Sequence, residues 1–141
     1  MLYLFDGYNI LHAGTFRDRR ELVDALASFV ALRGARGVAV FDGVGEDAVY
    51  GPLTVRFFSP ADSLIERLAA ESRGREEIWV VSSDRAVRGT AGQEARKLSS
   101  PDFVRELSGL RQASRGGRSQ IEDALDQATR ERLERFRRRR R

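Results

Sequence analysis

Three aspartates each follow a run of apolar residues. Asp6 and Asp42 come directly after such runs, and Asp84 follows EIWVV and two serines. Each run has the length and composition of a buried strand. A single acid here has an ordinary explanation, because Asp-Gly favours a turn and Asp84 could cap a helix. Three acids at equivalent strand ends indicate a cation site, since clustered carboxylates raise one another's pKa unless a cation compensates.

The ligand types available define the kind of cation. The chain has no cysteine and one histidine, His12, which excludes thiolate zinc sites and a cysteine nucleophile and disfavours a histidine metal cage. Carboxylate oxygens suit Mg²⁺ or Mn²⁺. These ions promote phosphodiester hydrolysis by generating hydroxide and by stabilising the attacking and leaving oxygens. Without a P-loop or a Rossmann glycine fingerprint, nucleotide-dependent chemistry is disfavoured.

Two further acids, Asp62 and Glu66, stand one turn apart in a predicted helix. This spacing places them on one helix face, where both would lean toward the sheet edge. Asp62 would also stabilise a helix N-terminus, and Glu66 would also serve in a surface ion pair. Both acids are candidate metal ligands.

Other polar residues near the aspartates are candidates for substrate contacts. Asn9, three residues beyond the first aspartate, could orient a water or a phosphate, or support its loop. Ser82 and Ser83 could hold the following aspartate or a phosphate. Tyr8 could stack on a base or anchor the core.

The basic residues are almost all arginines, and the excess lies late in the chain. Lys97 is the only lysine, and the formal net charge is +4. The late arginines are Arg111, Arg115, Arg118, Arg130, Arg132, Arg135 and the run 137–141. Such a gradient favours an anionic polymer as partner, although a GC-rich genome would also enrich arginine.

Alternating strands and helices must position these residues. The predicted strands are 1–5, 37–41, 53–58 and 77–81, with a short edge strand at 95–98. The predicted helices begin after the Asp18/Glu21 capping box, at Ser59-Pro60 and at Ser100-Pro101. The pattern predicts an α/β fold with a mostly parallel sheet flanked by helices, whose carboxyl edge gathers the acids.

Composition divides the chain into a domain at 1–113, a flexible basic linker at 114–119 (SRGGRS) and an arginine-rich helix or tail at 120–141. No apolar run is long enough to span a bilayer, and the start lacks a secretory signal pattern. We therefore expect a cytoplasmic protein with no membrane partner.

Four motifs in order carry a family resemblance: DGYNILH at 6–12, VFD at 40–42, ADSLIE at 61–66 and VVSSD at 80–84. The chain resembles the YacP-like NYN domain family, a branch of the PIN-like ribonucleases. The resemblance implies a PIN-like three-layer fold, dependence on a divalent metal and endonucleolytic cleavage of RNA. By position, Asp6, Asp62 and Asp84 match the family's acidic site, with Asn9, Asp42 and Glu66 as companions.

The resulting prediction is an Mg²⁺- or Mn²⁺-dependent endoribonuclease with RNA as partner, mRNA and the ribosome being candidates. Asp6, Asp62 and Asp84 are the predicted catalytic residues, and Asp42 and Glu66 complete the predicted metal ligands. The predicted substrate contacts are Asn9, Tyr8, Ser83, Arg85, Arg115 and Arg118. The alternatives are a noncatalytic RNA-binding or ribosome-associated module and a phosphomonoesterase, although neither Asp6 nor Asp42 is followed two residues later by another Asp. The sequence leaves the oligomeric state open.

Overall fold

The computed structural model describes residues 1–85 and 95–110. The elements are β1 (Leu2–Asp6), α1 (Gly7–Ala13), α2 (Arg19–Leu32), β2 (Arg36–Phe41), β3 (Ala48–Tyr50), β4 (Leu53–Phe57), α3 (Ala61–Ser72), β5 (Ile78–Val81) and β6 (Arg96–Leu98). Residues 100–110 form a further helix, α4. The chain divides into two units, Met1–Arg105 and Glu106–Arg141. Of the second unit only residues 106–110, which are helical, are described.

The strands of the first unit form one six-stranded sheet in the order β3-β4-β2-β1-β5-β6. Every neighbouring pair is parallel except β3 and β4, which are antiparallel. The central strand β1 pairs with β2 and β5, so that Leu4 lies opposite both Val38 and Val80. The prediction of an α/β fold with a mostly parallel sheet is confirmed.

Both faces of β1 are buried, because successive side chains of a strand point to opposite faces. On one face Leu2 and Leu4 join an aliphatic core that includes Leu64 and Ile65 of α3. On the other face Tyr3 and Phe5 meet an aromatic cluster. That cluster contains Phe29 of α2, Phe103 of α4 and Trp79 of β5. The sheet is therefore the middle of three layers, as predicted.

The start of α2 follows the prediction in part. Asp18 is the N-cap residue, and its Oδ1 accepts a hydrogen bond from the backbone N–H of Glu21 at 2.9 Å. The Glu21 carboxylate accepts from the backbone and side-chain N–H groups of Arg17, at 3.3 and 2.8 Å. The Glu21 carboxylate of the capping box therefore binds Arg17, the residue before the N-cap.

The sequence reading missed α1 and β3. Asp6-Gly7 suggested a turn and a loop, but α1 begins at Gly7, where the helix runs against β2. A Cβ on Gly7 would lie 2.5 Å from the ring of Phe41. With seven and three residues, α1 and β3 are too short to show a periodic pattern.

Two predicted helix caps also differ in the structure. The sequence predicts Pro60 at the first helical position of α3. In the structure Pro60 is instead the N-cap residue, and its side chain makes no capping hydrogen bond. At α4 the hydroxyl of Ser99 accepts from the N–H of Asp102 at 3.3 Å, so Ser100 is free for another role. None of the described helices has the length and apolar character that a membrane span requires.

Candidate functional site

The carboxyl ends of three adjacent parallel strands bring the first acids together. Asp6 ends β1, where it lies opposite Val40 of β2. Asp42 directly follows β2, and Asp84 follows β5 after two serines. Because β1 lies between β2 and β5, the sheet gathers these residues at one edge.

Asp6 is half-buried at the end of β1. Burial is the largest influence and raises the pKa of its carboxyl group. A hydrogen bond from the Ser82 hydroxyl to Oδ2, at 2.8 Å, acts in the opposite direction. The negative charges of Asp84, Asp42 and Asp62 then raise the pKa further. The charges of three other carboxylates thus act on Asp6.

Ser82 connects two of these acids. Its side chain is fully buried, donates to Asp6, and accepts the backbone N–H of Asp84 at 3.0 Å. The hydroxyl therefore fixes the Asp6 carboxylate relative to the chain that carries Asp84.

Asn9 and Ser83 belong to a second hydrogen-bond network beside the acids. The side-chain oxygen of Asn9 accepts the backbone N–H of Ser83 at 2.9 Å and also the hydroxyl of Ser100. The Ser83 hydroxyl accepts the backbone N–H of Ser100 at 3.1 Å. These bonds join α1, the end of β5 and the start of α4. Sequence reasoning missed Ser100, because a serine before a proline suggested only a helix cap.

Asp42 has a structural contact of its own. Its Oδ1 accepts the Ser59 hydroxyl at 3.0 Å, and its Oδ2 accepts the backbone N–H of Ala61 at 3.1 Å. Ala61 is the first residue of α3, so Asp42 satisfies a free N–H of that helix from a neighbouring strand. No local sequence signal marks a cap supplied from so far along the chain.

The two acids of α3 are placed differently. Asp62 is half-buried in the first turn, and its charge acts on Asp6. Glu66 is exposed on the same helix, and within the described residues its charge is not among those that perturb Asp6. The structure therefore draws Asp62, more than Glu66, into the site.

The donor set suits a hard divalent cation, since the clustered ligands are all carboxylate oxygens. Their present arrangement is more open than a finished metal cage. In residues 1–85 and 95–110, no three histidine, aspartate or glutamate side chains are grouped closely enough to hold a metal ion. The chemistry of the donors, which are all carboxylate oxygens, fits Mg²⁺ or Mn²⁺.

The predicted substrate contacts have varied surroundings. The Tyr8 hydroxyl accepts a hydrogen bond from Arg19 at 3.1 Å, and its ring meets Phe41 edge-on at 5.0 Å between centroids. Arg85 is exposed directly after Asp84. Arg115 and Arg118 lie outside the described residues.

The mostly parallel, six-stranded α/β sheet is a PIN-like fold, the fold that the family resemblance implied. The family model of the YacP-like NYN domain matches residues 3–138. The chain therefore belongs to the YacP-like NYN domain family, and the resemblance stated from its motifs is confirmed.

A solved structure supports this membership. The chain is similar to the crystal structure of a point mutant of Rae1 (YacP) from Bacillus subtilis, with 28% sequence identity and a TM-score of 0.66. The similarity covers 86% of this chain and 84% of that one. No curated protein sequence matches the chain.

Proposed function

We propose that this protein is a metal-dependent endoribonuclease that hydrolyses RNA phosphodiester bonds at the carboxyl edge of its sheet. The observation that supports this most is the half-buried Asp6 carboxylate, whose pKa is raised by burial and by the charges of Asp84, Asp42 and Asp62. Ionisable groups with perturbed pKa values cluster at functional sites, which favours a catalytic role for these acids.

Asp6, Asp62 and Asp84 would hold Mg²⁺ or Mn²⁺, with Asp42 and Glu66 as further ligands. When bound, such an ion supplies an activated water and stabilises charge on the scissile phosphate. Ser82 orients the Asp6 carboxylate through its 2.8 Å hydrogen bond. Because the pKa of Asp6 is raised, protonation would remove this ligand on the acid side, and activity should fall there.

The proposed substrate is RNA, with mRNA or ribosome-presented RNA as candidates and the cytoplasm as the compartment. In this proposal, Tyr8, Asn9, Ser83 and Arg85 contact the RNA strand near the cleaved bond. In this proposal Arg115 and Arg118 add sequence-independent affinity for phosphates, which predicts binding that weakens steeply with salt.

The test is cleavage of labelled single-stranded and structured RNAs by the purified full chain with Mg²⁺ or Mn²⁺. We expect internal cutting that EDTA abolishes and that Asp6→Asn does not support. The asparagine variant is a suitable control because its side-chain oxygen still accepts from Ser82. Cutting that is indifferent to EDTA and to Asp6→Asn would refute the proposal.

A noncatalytic RNA-binding module is the second candidate, favoured by one observation. The described residues contain no ready group of three metal-ligating side chains. RNA binding without cutting under every metal condition, with wild type and Asp6→Asn binding equally, would support this module in place of the nuclease.

A further inference from the structure

A groove lies between the start of α2 and the β3–β4 hairpin, and its lining includes Phe57, which ends β4. Its volume is about 600 Å³, within the range of ligand pockets. Val23 of α2, Ala48 of β3, and Val55 and Phe57 of β4 form an apolar floor. Tyr50 stands at the rim with 47% of its surface exposed.

Strand register explains why this floor exists. Ala48 lies directly opposite Val55, and Tyr50 lies opposite Leu53. Residues directly opposite in an antiparallel pair share a face of the sheet, as do alternate residues of one strand. The sheet face that α2 covers at β2 and β4 therefore continues beyond the helix onto β3, where Ala48 extends the floor of the groove.

Aromatic contacts join the groove to the acidic edge. The guanidinium of Arg19 lies 4.9 Å from the ring centre of Phe57 and 5.9 Å from that of Phe41. The two rings stack at 5.7 Å between centroids. Phe41 directly precedes Asp42, and Arg19 also donates to the hydroxyl of Tyr8. Phe41 is itself fully buried and supports these contacts from beneath, whereas Arg19 is exposed and connects Tyr8, two residues after Asp6, with Phe57 of the groove.

The charged side chains of the groove indicate which part of an RNA it would bind. Two guanidiniums, of Arg19 and Arg20, stand with three carboxylates, of Asp18, Asp24 and Glu46. A surplus of carboxylates disfavours a phosphate but accepts the N–H donors of a base edge. An apolar floor with an exposed tyrosine and an arginine over a ring is the usual surrounding of an unstacked base.

We infer that this groove binds one unpaired base of the RNA strand whose backbone crosses the acidic edge. The inference rests on the proposed ribonuclease function and adds a base-binding subsite to it. Binding a base here would hold the strand in place by stacking, with little dependence on phosphate contacts.

The test separates base contacts from backbone contacts. Binding is measured by fluorescence anisotropy, in EDTA, for a short labelled single-stranded RNA and for an abasic oligomer of the same length and charge. The ratio of the two affinities reports base binding alone. We expect the full-length wild type to prefer the intact RNA, and Ala48→Phe, which fills the floor, to reduce that ratio about tenfold.

Val49→Phe is the matched control, because Val49 is adjacent on the same strand but on the opposite face, with 71% of its surface exposed. It should keep the wild-type ratio. Tyr50→Ala removes a rim contact without adding bulk and should reduce the ratio in the same direction as Ala48→Phe. This second variant keeps the test valid if Ala48→Phe fails to fold.

An unchanged ratio in both Ala48→Phe and Tyr50→Ala would overturn the inference, as would equal losses in Ala48→Phe and Val49→Phe. The outcome is independent of catalysis. If the protein cuts RNA but neither variant changes the affinity ratio, only the groove proposal is refuted. If the variants change the ratio but the protein never cuts RNA, only the nuclease proposal is refuted.

Discussion

The two edges of the parallel sheet shift the pKa of a carboxyl group in opposite directions. Just before β5, at the amino edge, Glu76 is bound by the guanidinium of Arg36, which starts β2. That hydrogen bond is the main reason why the pKa of Glu76 is lowered. At the carboxyl edge, burial and neighbouring aspartates raise the pKa of Asp6.

The difference separates a stabilising acid, Glu76, from Asp6, the acid that we propose to be functional. An acid paired with a cation favours the folded state at neutral pH, whereas a half-buried acid among other acids opposes it. Among the described residues, the groups that perturb Asp6 are a serine hydroxyl and three carboxylates, with no cation. In the proposed function, a bound divalent ion would supply positive charge to these acids.

The largest expected effect is on cleavage at the carboxyl edge. Asp6→Asn should lower the RNA cleavage rate at least about a hundredfold, because even outer-shell partners of a metal typically contribute tenfold to a hundredfold. Glu76→Gln, the same change at the amino edge, should leave the rate unchanged. Single-turnover cleavage with Mn²⁺ measures both, and equal losses in the two variants would contradict the contrast.

Removing the hydroxyl that holds Asp6 should have a smaller effect. Ser82→Ala removes the donor to Asp6 and the acceptor of the Asp84 N–H, so we expect the cleavage rate to fall about tenfold. Because the Ser82 bond lowers the pKa of Asp6, its loss should move the acid limb of the pH–rate profile to higher pH. Exposed Ser63→Ala serves as control, and an unmoved acid limb would exclude the positioning role.

Asp42 tests whether an acid at the carboxyl edge also stabilises the fold. Asp42→Ala would leave the Ser59 hydroxyl and the Ala61 N–H without their acceptor. Loss of a helix cap costs about 1 kcal/mol of unfolding free energy. Urea unfolding should show this loss for Asp42→Ala and a smaller one for Asp42→Asn, which keeps one oxygen acceptor. Equal stability of Asp42→Ala and wild type would show that the cap contributes nothing.

The smallest expected effects are on the pH dependence of the free energy of unfolding. The Glu76 ion pair contributes above the unfolded pKa of glutamate, and this contribution is lost as the pH falls through the lowered folded pKa. Glu76→Gln should therefore reduce stability at neutral pH, by less than about 1 kcal/mol for a surface pair. Asp6 changes stability with pH in the opposite direction, because its pKa is raised. Its contribution to the free energy of unfolding is present at low pH and is lost as the pH rises through the folded pKa.

Asp6→Asn should accordingly raise the melting temperature slightly at neutral pH and lose that advantage in acid. Thermal melts of both variants across this range measure the two trends. A lower melting temperature of Asp6→Asn at neutral pH would show that the carboxylate is stabilising in the apo protein.

The sequence predicted those parts of the fold whose signal is local and long. Buried strands such as β1 and β2 are continuous apolar runs, and the capped, amphipathic α2 follows from Asp18 and its apolar spacing. Parallel pairing then gathers strand ends at one edge. For this reason, the amino-acid sequence alone was enough to group Asp6, Asp42 and Asp84.

Other features depend on contacts between distant segments, which no local pattern records. The bond from Ser100 to Asn9 joins residues 91 positions apart, and the cap of α3 by Asp42 spans 19. β3 is an antiparallel strand of three residues, and without it the floor of the groove could not be predicted.

The most direct test of the central claim is metal binding by the full chain. Isothermal titration with Mn²⁺ should give a specific binding event for wild type and Glu76→Gln, and Asp6→Asn should lose it. Equal binding by all three proteins would contradict a metal site at the carboxyl edge, because the cation would then be held without Asp6.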